Sequence, residues 1–142
     1  MVGTDQACEK KLYFGDPLLY WTALDHAAQR EDVPALVENV LALTLLRRYE
    51  PAAAQFRGFV EPTNLHLWRP RRGGEIDFVA GGRREVDLVE VKYQDHVDRR
   101  VLNGLRAAFP GRPGVVCSRS ELDLAPHAGA VIPAALLAWA LG

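Results

Sequence analysis

One segment of the chain combines the apolar residues of buried β-strands with ionisable side chains. Residues 74–93 read GEIDFVAGGRREVDLVEVKY, and the apolar side chains among them are mostly β-branched or aromatic, with a Gly-Gly pair that predicts a turn. The segment nevertheless carries Asp77, Glu90 and Lys92. Burying ionised groups is costly unless they pair with one another or bind a metal. We therefore expect a hairpin whose charged side chains form either a functional site or a structural ion pair.

The spacing of these residues predicts that they share one face of the hairpin. Side chains alternate along a strand, so Glu90 and Lys92 point to the same side. A loop of two residues (Gly81 and Gly82) or of four (through Arg84) puts Asp77 on that face as well. In the four-residue case Asp77 faces Leu88 and lies diagonal to Glu90, within reach of a common ligand.

Converging carboxylates predict a cation between them, because two such charges otherwise repel. Carboxylate and carbonyl oxygens suit Mg²⁺ or Mn²⁺, and the expected metal ligands are Asp77, Glu90 and the backbone carbonyl of Val91. Lys92 would then lie beside a metal-bound water or a phosphate, an arrangement that suits hydrolysis of phosphate esters. Glu75 falls on the same face near the end of the sheet, where we expect a rim charge rather than a ligand. The alternative for the whole set is a structural ion pair without a metal.

Glu38 is a fourth carboxylate in an apolar setting. Residues 35–46 (ALVENVLALTLL) are apolar nearly all round the helical wheel, which is typical of a buried helix. Glu38 lies between apolar positions of this wheel and needs a partner, and the cation site of the hairpin is one candidate. Alternatively, Glu38 and Asn39 cap or bridge backbone groups.

The surrounding pattern predicts an α/β domain with a mixed sheet and helices packed on it. A single domain over residues 1–142 is expected. Glu9, Lys10 and Lys11 are expected to be a solvated start, and Lys11 to Phe14 to be a short strand or an extended lead-in. Residues 51–62 are a loop or a broken helix. The predicted helices are 17–29, 33–49, 98–109 and 133–141; the predicted strands are 65–68, the two arms of the hairpin, 114–117 and 131–132.

The composition of the chain excludes some classes of function but does not identify one. The 142 residues are 49% hydrophobic and 25% charged, with a formal net charge of −1, so no global basic field points to nucleic acid. Cys8 and Cys117 are isolated and match neither a zinc-site nor a disulfide pattern, which favours a cytoplasmic location. No apolar stretch is long enough to span a bilayer, so no membrane partner is expected.

Arginine is the preferred cation, with 14 Arg against 3 Lys. Two of the arginine pairs, Arg71-Arg72 and Arg83-Arg84, flank or interrupt the hairpin. Because the guanidinium fork matches phosphate, we expect these four residues to contact DNA if the domain binds it. The alternative explanation is the codon preference of a GC-rich genome.

Asp77 followed by Glu90-Val91-Lys92, with Glu38 on the first core helix, resembles the PD-(D/E)xK nuclease superfamily. The resemblance implies a restriction-endonuclease-like core of a helix, three strands, a helix and a strand. It also implies catalytic roles for Asp77, Glu90, Lys92 and Glu38, with Glu38 a possible further metal ligand. Ile76 stands where the signature proline would be.

A narrower resemblance covers most of the chain. The KLYFGDP segment (11–17), the Glu38-Asn39 pair and the GEIDF strand (74–78) are similar to a C-terminal domain of unknown function attached to prokaryotic AAA-type ATPases. That domain is regarded as resembling Holliday-junction resolvases, which implies structured or branched DNA as substrate and a possible homodimer. The chain has no phosphate-binding loop of its own, so an ATPase domain would be a partner outside it. The alternative function is a non-catalytic DNA- or protein-recognition or assembly domain beside such an ATPase.

Overall fold

The computed structural model describes residues 11, 13–16, 19, 22, 32–50, 63–69, 75–81, 86–125 and 129–142. Within these residues the chain forms three helices and six strands. They are α1 (Val33–Tyr49), β1 (Leu65–Trp68), β2 (Ile76–Ala80), β3 (Asp87–Val91), α2 (Arg100–Ala108), β4 (Gly114–Ser118), β5 (Asp123–Ala125), β6 (Gly129–Pro133) and α3 (Ala134–Leu141).

All six strands belong to one mixed sheet with the order β1-β2-β3-β4-β6-β5. The first three strands form an antiparallel meander, and β3, β4 and β6 run parallel to one another. The crossover from β3 to β4 contains α2, as parallel neighbours require. The short strand β5 pairs antiparallel with β6 at the far edge. The α/β class with a mixed sheet, predicted from the sequence, is therefore confirmed.

Most predicted elements are present at nearly the predicted positions. The helix after Asp32 begins at Val33, with Pro34 in its first turn, where a missing backbone N–H does no harm. The strand predicted at 131–132 is longer, and β5 was not predicted at all. The helix predicted at 17–29 lies largely outside the described residues, and the segment 51–62 lies wholly outside them.

The register of the hairpin differs from both predicted loops. Phe78 pairs with Val89, and Ala80 pairs with Asp87, so the connection between the paired strands is longer than four residues. Asp77 therefore comes opposite Glu90 instead of Leu88. The predicted loop lengths were wrong because pairing ends where the apolar residues of β2 end. The observed pairing is shifted from both predicted registers by an even number of residues, so the prediction that Asp77 and Glu90 share a face is correct.

Two hydrophobic cores flank the sheet. On one face α1 and α3 pack against β2, β3 and β4, through residues that include Leu41, Leu45, Phe78, Val89 and Leu137. On the other face α2 packs through Leu102 and Leu105 onto a second set of strand residues. Neighbours on β4 divide between the two cores, Cys117 in the first and Val116 in the second, which makes the fold three-layered. Among the described residues, no helix combines the length and apolarity needed to cross a membrane.

The helix α2 lies close to the sheet because β4 begins with a glycine. A Cβ on Gly114 would lie 2.5 Å from Leu105 Cδ1 and 3.1 Å from Leu105 Cβ. This close approach brings α2 against the face of the sheet that carries Asp77 and Glu90. The position of α2 therefore sets the width of the cleft described below.

Candidate functional site

Asp77 and Glu90 are buried on adjacent strands, with 7% and 4% of their surface exposed. Each carboxylate gives one oxygen to the backbone of the other strand. The backbone N–H of Asp77 donates to Glu90 Oε2 at 3.2 Å, and that of Val91 donates to Asp77 Oδ2 at 2.8 Å. These reciprocal hydrogen bonds fix the orientation of both side chains, because a rotation of either would leave a buried N–H unpaired.

The second oxygen of each carboxylate meets a lysine. Lys92 Nζ lies 2.6 Å from Glu90 Oε1, and Lys11 Nζ lies 2.6 Å from Asp77 Oδ1. Burial raises the pKa of Glu90, and the charge of Asp77 adds to this effect, while the hydrogen bond from Lys92 opposes it. Burial alone would lower the pKa of Lys92, but its contacts with Glu90 and the charge of Asp77 raise it. The site therefore holds two lysine–carboxylate pairs side by side.

Lys11 also contacts two further carboxylates. Its Nζ lies 3.0 Å from Glu38 Oε1 on α1 and 2.7 Å from Glu75 Oε1 just before β2. Burial alone would lower the pKa of Lys11, but hydrogen bonds to Asp77, Glu75 and Glu38 raise it, which keeps the ammonium charged. The hydroxyl of Tyr13 donates to Glu38 Oε1 at 2.7 Å. One ammonium thus lies among three carboxylates, and the expectation of a solvated start did not include these ion pairs of Lys11.

The segment that carries Lys11 is attached to α1 through Asn39, which is only 3% exposed. Its amide forms two hydrogen bonds with the backbone of Phe14: Phe14 N donates to Asn39 Oδ1 at 2.6 Å, and Asn39 Nδ2 donates to Phe14 O at 3.0 Å. The ring of Tyr13 packs 5.7 Å from that of Phe78. The Glu38-Asn39 pair therefore has two roles: Asn39 bridges backbone groups, and Glu38 joins the charged cluster through Lys11.

Glu75 lies between this cluster and the rim. One oxygen meets Lys11, and the other accepts hydrogen bonds from the guanidinium of Arg69, whose Nε lies 3.1 Å away. Burial alone would raise the pKa of Glu75, but the contacts with Lys11 and Arg69 lower it. Glu75 is accordingly a rim charge, as expected, and also a member of the cluster, which was not expected.

The pairs line a cleft of about 770 Å³ between the sheet and α2. Lys11, Glu75, Asp77, Glu90 and Lys92 form the sheet side, and Lys92 is 41% exposed there. The wall from α2 is apolar, with one exposed cation at its start. The lining residues of this wall are Arg100, Val101, Gly104, Leu105, Ala107 and Ala108. Arg100 pairs with Asp98. Both lysines therefore line the same cleft.

The four arginines predicted to contact DNA, Arg71, Arg72, Arg83 and Arg84, lie outside the described residues. Within the described part of the chain, the cations that line the cleft are Lys11, Lys92 and Arg100. Lys11 and Tyr13 are the site residues that sequence reasoning missed. A signal was present, because alternation along an extended segment places these two polar residues on one side.

The donor set suits Mg²⁺ or Mn²⁺ in kind, since Glu38, Asp77 and Glu90 offer hard carboxylate oxygens. Its present spacing is that of an ion-pair cluster: among the residues described, no group of three or more His, Cys, Asp or Glu side chains is arranged to hold a metal. The oxygens of Asp77 and Glu90 that accept no backbone hydrogen bond face Lys11 and Lys92 instead. A divalent cation would therefore compete with an ammonium for its ligands.

Comparison with family profiles places this cluster within a known family. The profile of DUF4143, a domain of unknown function, matches residues 34–137, well over half of the chain. The protein belongs to the DUF4143 family. The match includes Glu38, Asp77, Glu90 and Lys92, whereas Lys11 precedes it. Comparison with curated proteins and with solved structures found no match.

Membership in DUF4143 confirms one part of the resemblance drawn from the sequence, which is the assignment to a domain of unknown function. The family description names no activity and no partner. The nuclease-like character and the attachment to an AAA-type ATPase therefore remain predictions for this DUF4143 chain.

Proposed function

We propose that this DUF4143 domain hydrolyses phosphodiester bonds of DNA with the help of a divalent cation. The observation that carries the proposal is the pair of cross-braced carboxylates, Asp77 and Glu90, with Lys92 beside them in an open cleft. Buried ionisable groups held at a fixed spacing in a cleft are typical of functional sites. A sheet that combines an antiparallel hairpin with a parallel strand, covered by helices on both faces, is compatible with a restriction-endonuclease-like core of the PD-(D/E)xK type.

Mg²⁺ or Mn²⁺ would be held by Asp77, Glu90 and the carbonyl of Val91, with Glu38 as a possible fourth ligand. When bound, such a cation lowers the pKa of a water molecule and offsets negative charge on a phosphate. The protein contributes rigidity, because the hydrogen bonds from the backbone N–H groups of Asp77 and Val91 hold both carboxylates in place before any ligand arrives.

Lys92 would stabilise the charge that develops on the phosphate. Its ammonium is anchored by Glu90 at 2.6 Å and remains partly exposed to the cleft, so it can donate to a phosphate oxygen without leaving its partner. An interaction of this kind acts mainly in the transition state, so its loss should lower the rate of cleavage far more than the affinity for DNA.

The charge at the site supports the proposed role of a divalent cation. Among the described residues of the cluster, the carboxylates of Glu38, Glu75, Asp77 and Glu90 face the cations Lys11, Lys92 and Arg69, which leaves one negative charge in excess. A phosphodiester carries a negative charge and is repelled by such a site. One divalent cation reverses the sign and makes the cleft attractive to phosphate.

The substrate and the assembly state follow from the resemblance to junction resolvases. We propose structured or branched DNA as the substrate, a homodimer as the active form, a cytoplasmic location, and an ATPase domain outside this chain as a partner. The arginine pairs Arg71-Arg72 and Arg83-Arg84, together with Arg100 at the mouth of the cleft, are the proposed phosphate contacts.

The test is cleavage of labelled four-way junction and duplex DNA at low salt, with and without Mn²⁺. Wild type should cut only with the cation, and Asp77→Asn should abolish cutting. Asp123→Asn is the matched control, because Asp123 pairs with Arg99 away from the cleft and the variant should cut like wild type. If wild type neither binds nor cuts any of these DNAs, the nuclease proposal fails.

A second candidate function is a non-catalytic recognition or assembly domain beside an ATPase. The observation that favours it is that Lys11 and Lys92 already pair with Asp77 and Glu90, so the cluster is stable without a metal. In that case the domain should bind DNA or its ATPase partner equally well with and without Mn²⁺. Asp77→Asn should then weaken binding only as far as it destabilises the fold.

A further inference from the structure

The ammonium of Lys11 occupies the point where three carboxylates meet. Its Nζ lies within 3.0 Å of an oxygen from each of Glu38, Glu75 and Asp77, which come from α1, the approach to β2, and β2 itself. Each of these oxygens is a hard donor of the type that Mg²⁺ and Mn²⁺ select. The cluster thus has the donors of a cation site and already contains a cation.

The backbone near Lys11 is anchored, which places the ammonium at this point, but the side chain is able to move away from it. The backbone is anchored at Phe14 through the two hydrogen bonds to Asn39, so the anchor lies three residues from the ammonium. The side chain of Lys11 remains 29% exposed, on a flexible stem of four methylene groups. The ammonium can therefore swing into the cleft while Tyr13 and Phe14 stay in place.

We propose that Lys11 is a built-in competitor of the divalent cation. It offsets part of the negative charge of Glu38, Glu75 and Asp77 in the cation-free domain, and it must withdraw before Glu38 and Asp77 can bind a metal. The physical reason is that an ammonium and a divalent cation repel strongly at the short separation that shared ligands impose. The inference rests on the metal site of the proposed function, but it does not require DNA cleavage.

The test is a calorimetric titration of Mn²⁺ into the full chain as wild type, Lys11→Met and Lys11→Arg. Lys11→Met removes the charge and keeps a flexible apolar stem, so its affinity for Mn²⁺ should exceed that of wild type by more than about tenfold. Lys11→Arg keeps a cation among the carboxylates and should bind as weakly as wild type. An affinity of Lys11→Met equal to or below that of wild type overturns the proposal.

Tyr13→Phe is the matched control for loosening of the segment. It removes the hydrogen bond to Glu38 but leaves the ammonium of Lys11 in place. Its affinity for Mn²⁺ should stay within about twofold of the wild-type value, far from the tenfold change that loss of the charge produces. A rise as large as that of Lys11→Met would assign the effect to loosening and overturn the role of Lys11 as competitor.

A measurement on wild type covers the case in which Lys11→Met does not fold. Reductive methylation, read by mass spectrometry, reports how available each lysine amine is, and Lys10 serves as the internal reference in the same peptide. Saturating Mn²⁺ should accelerate modification of Lys11 relative to Lys10, because the ammonium has been displaced. A rate that stays the same or falls, at a Mn²⁺ concentration at which calorimetry shows binding, contradicts displacement.

Neither readout depends on catalysis. If Lys11→Met gains Mn²⁺ affinity but neither protein cuts DNA, the competition stands and the nuclease proposal fails. If wild type cuts DNA while Lys11→Met shows no gain in affinity, the nuclease proposal stands and the competition is refuted.

Discussion

The two buried carboxylates of the cluster form equivalent hydrogen bonds with the backbone, but the lysines that pair with them come from different distances along the chain. Asp77 and Glu90 each give one oxygen to an N–H of the opposite strand, and each meets a lysine Nζ at 2.6 Å. Lys92 follows Glu90 by two positions on the same strand, whereas Lys11 is 66 positions from Asp77. Lys92 pairs with one carboxylate and Lys11 with three. The ion pair of Glu90 thus forms within one stretch of chain, whereas the ion pair of Asp77 depends on the tertiary fold.

This difference predicts unequal costs for removing the two lysines, which is the largest effect on stability that we expect. Lys11→Met leaves three carboxylates without their shared cation and should lower the free energy of unfolding by about 3 kcal/mol. Lys92→Met should cost only about 1 kcal/mol, because Glu90 can take up a proton once its partner is gone and its pKa is already raised by burial. Urea denaturation at neutral pH measures both. Equal costs, or a larger cost for Lys92→Met, would contradict the asymmetry.

The next effect concerns the attachment of the Lys11 segment to α1. Asn39→Ala removes both hydrogen bonds to Phe14 and should cost about 2 kcal/mol, because the backbone groups of Phe14 lose their partner. Thr44→Val is a matched control on the same helix, since its hydroxyl bonds only to a carbonyl that the helix already uses. It should change stability by less than about 0.5 kcal/mol. A result in which the control costs as much as Asn39→Ala would show that any change at a buried polar position of α1 is equally harmful.

The last effect is chemical, changes no stability, and reports on the core beneath the two carboxylates. Burial raises the pKa of the Cys117 thiol to about 12, and the negative charges of Asp77 and Glu90 add to this rise. A thiol reagent acts on the thiolate, which is scarce at pH 8 when the pKa is so high. In a Cys8→Ser background, Cys117 should react orders of magnitude more slowly in the native protein than in urea. Fast native labelling would mean that this side of the core is open to solvent.

The same comparison shows how far the sequence alone could predict the site. Glu90 and Lys92 lie two positions apart on one strand, so alternation was enough to place them on one face. Asp77 was placed correctly although both predicted loop lengths were wrong, because every register considered had the same parity. Alternation could place Lys11 on the same side as Tyr13, but no local pattern records its contact with Asp77 across 66 positions.

The fold shows a similar division between local and distant information. Helix α1 and β4 have strong apolar patterns and were predicted nearly to their ends. The three-residue strand β5 carries too few residues for a periodic pattern, and it exists because β6 offers it an edge to pair with. The register of the hairpin depends on where apolar pairing stops, which turn residues alone do not determine.

The most direct test of the central claim is the single-turnover cleavage of a labelled four-way junction with Mn²⁺ by wild type and Lys92→Met. Binding of both proteins to the same junction without the metal provides the reference. We expect Lys92→Met to bind within about twofold of wild type and to cut at least about 100-fold more slowly, because Lys92 acts on charge that develops in the transition state. Cleavage by Lys92→Met at the wild-type rate would contradict the assignment of this cluster as a phosphodiesterase site.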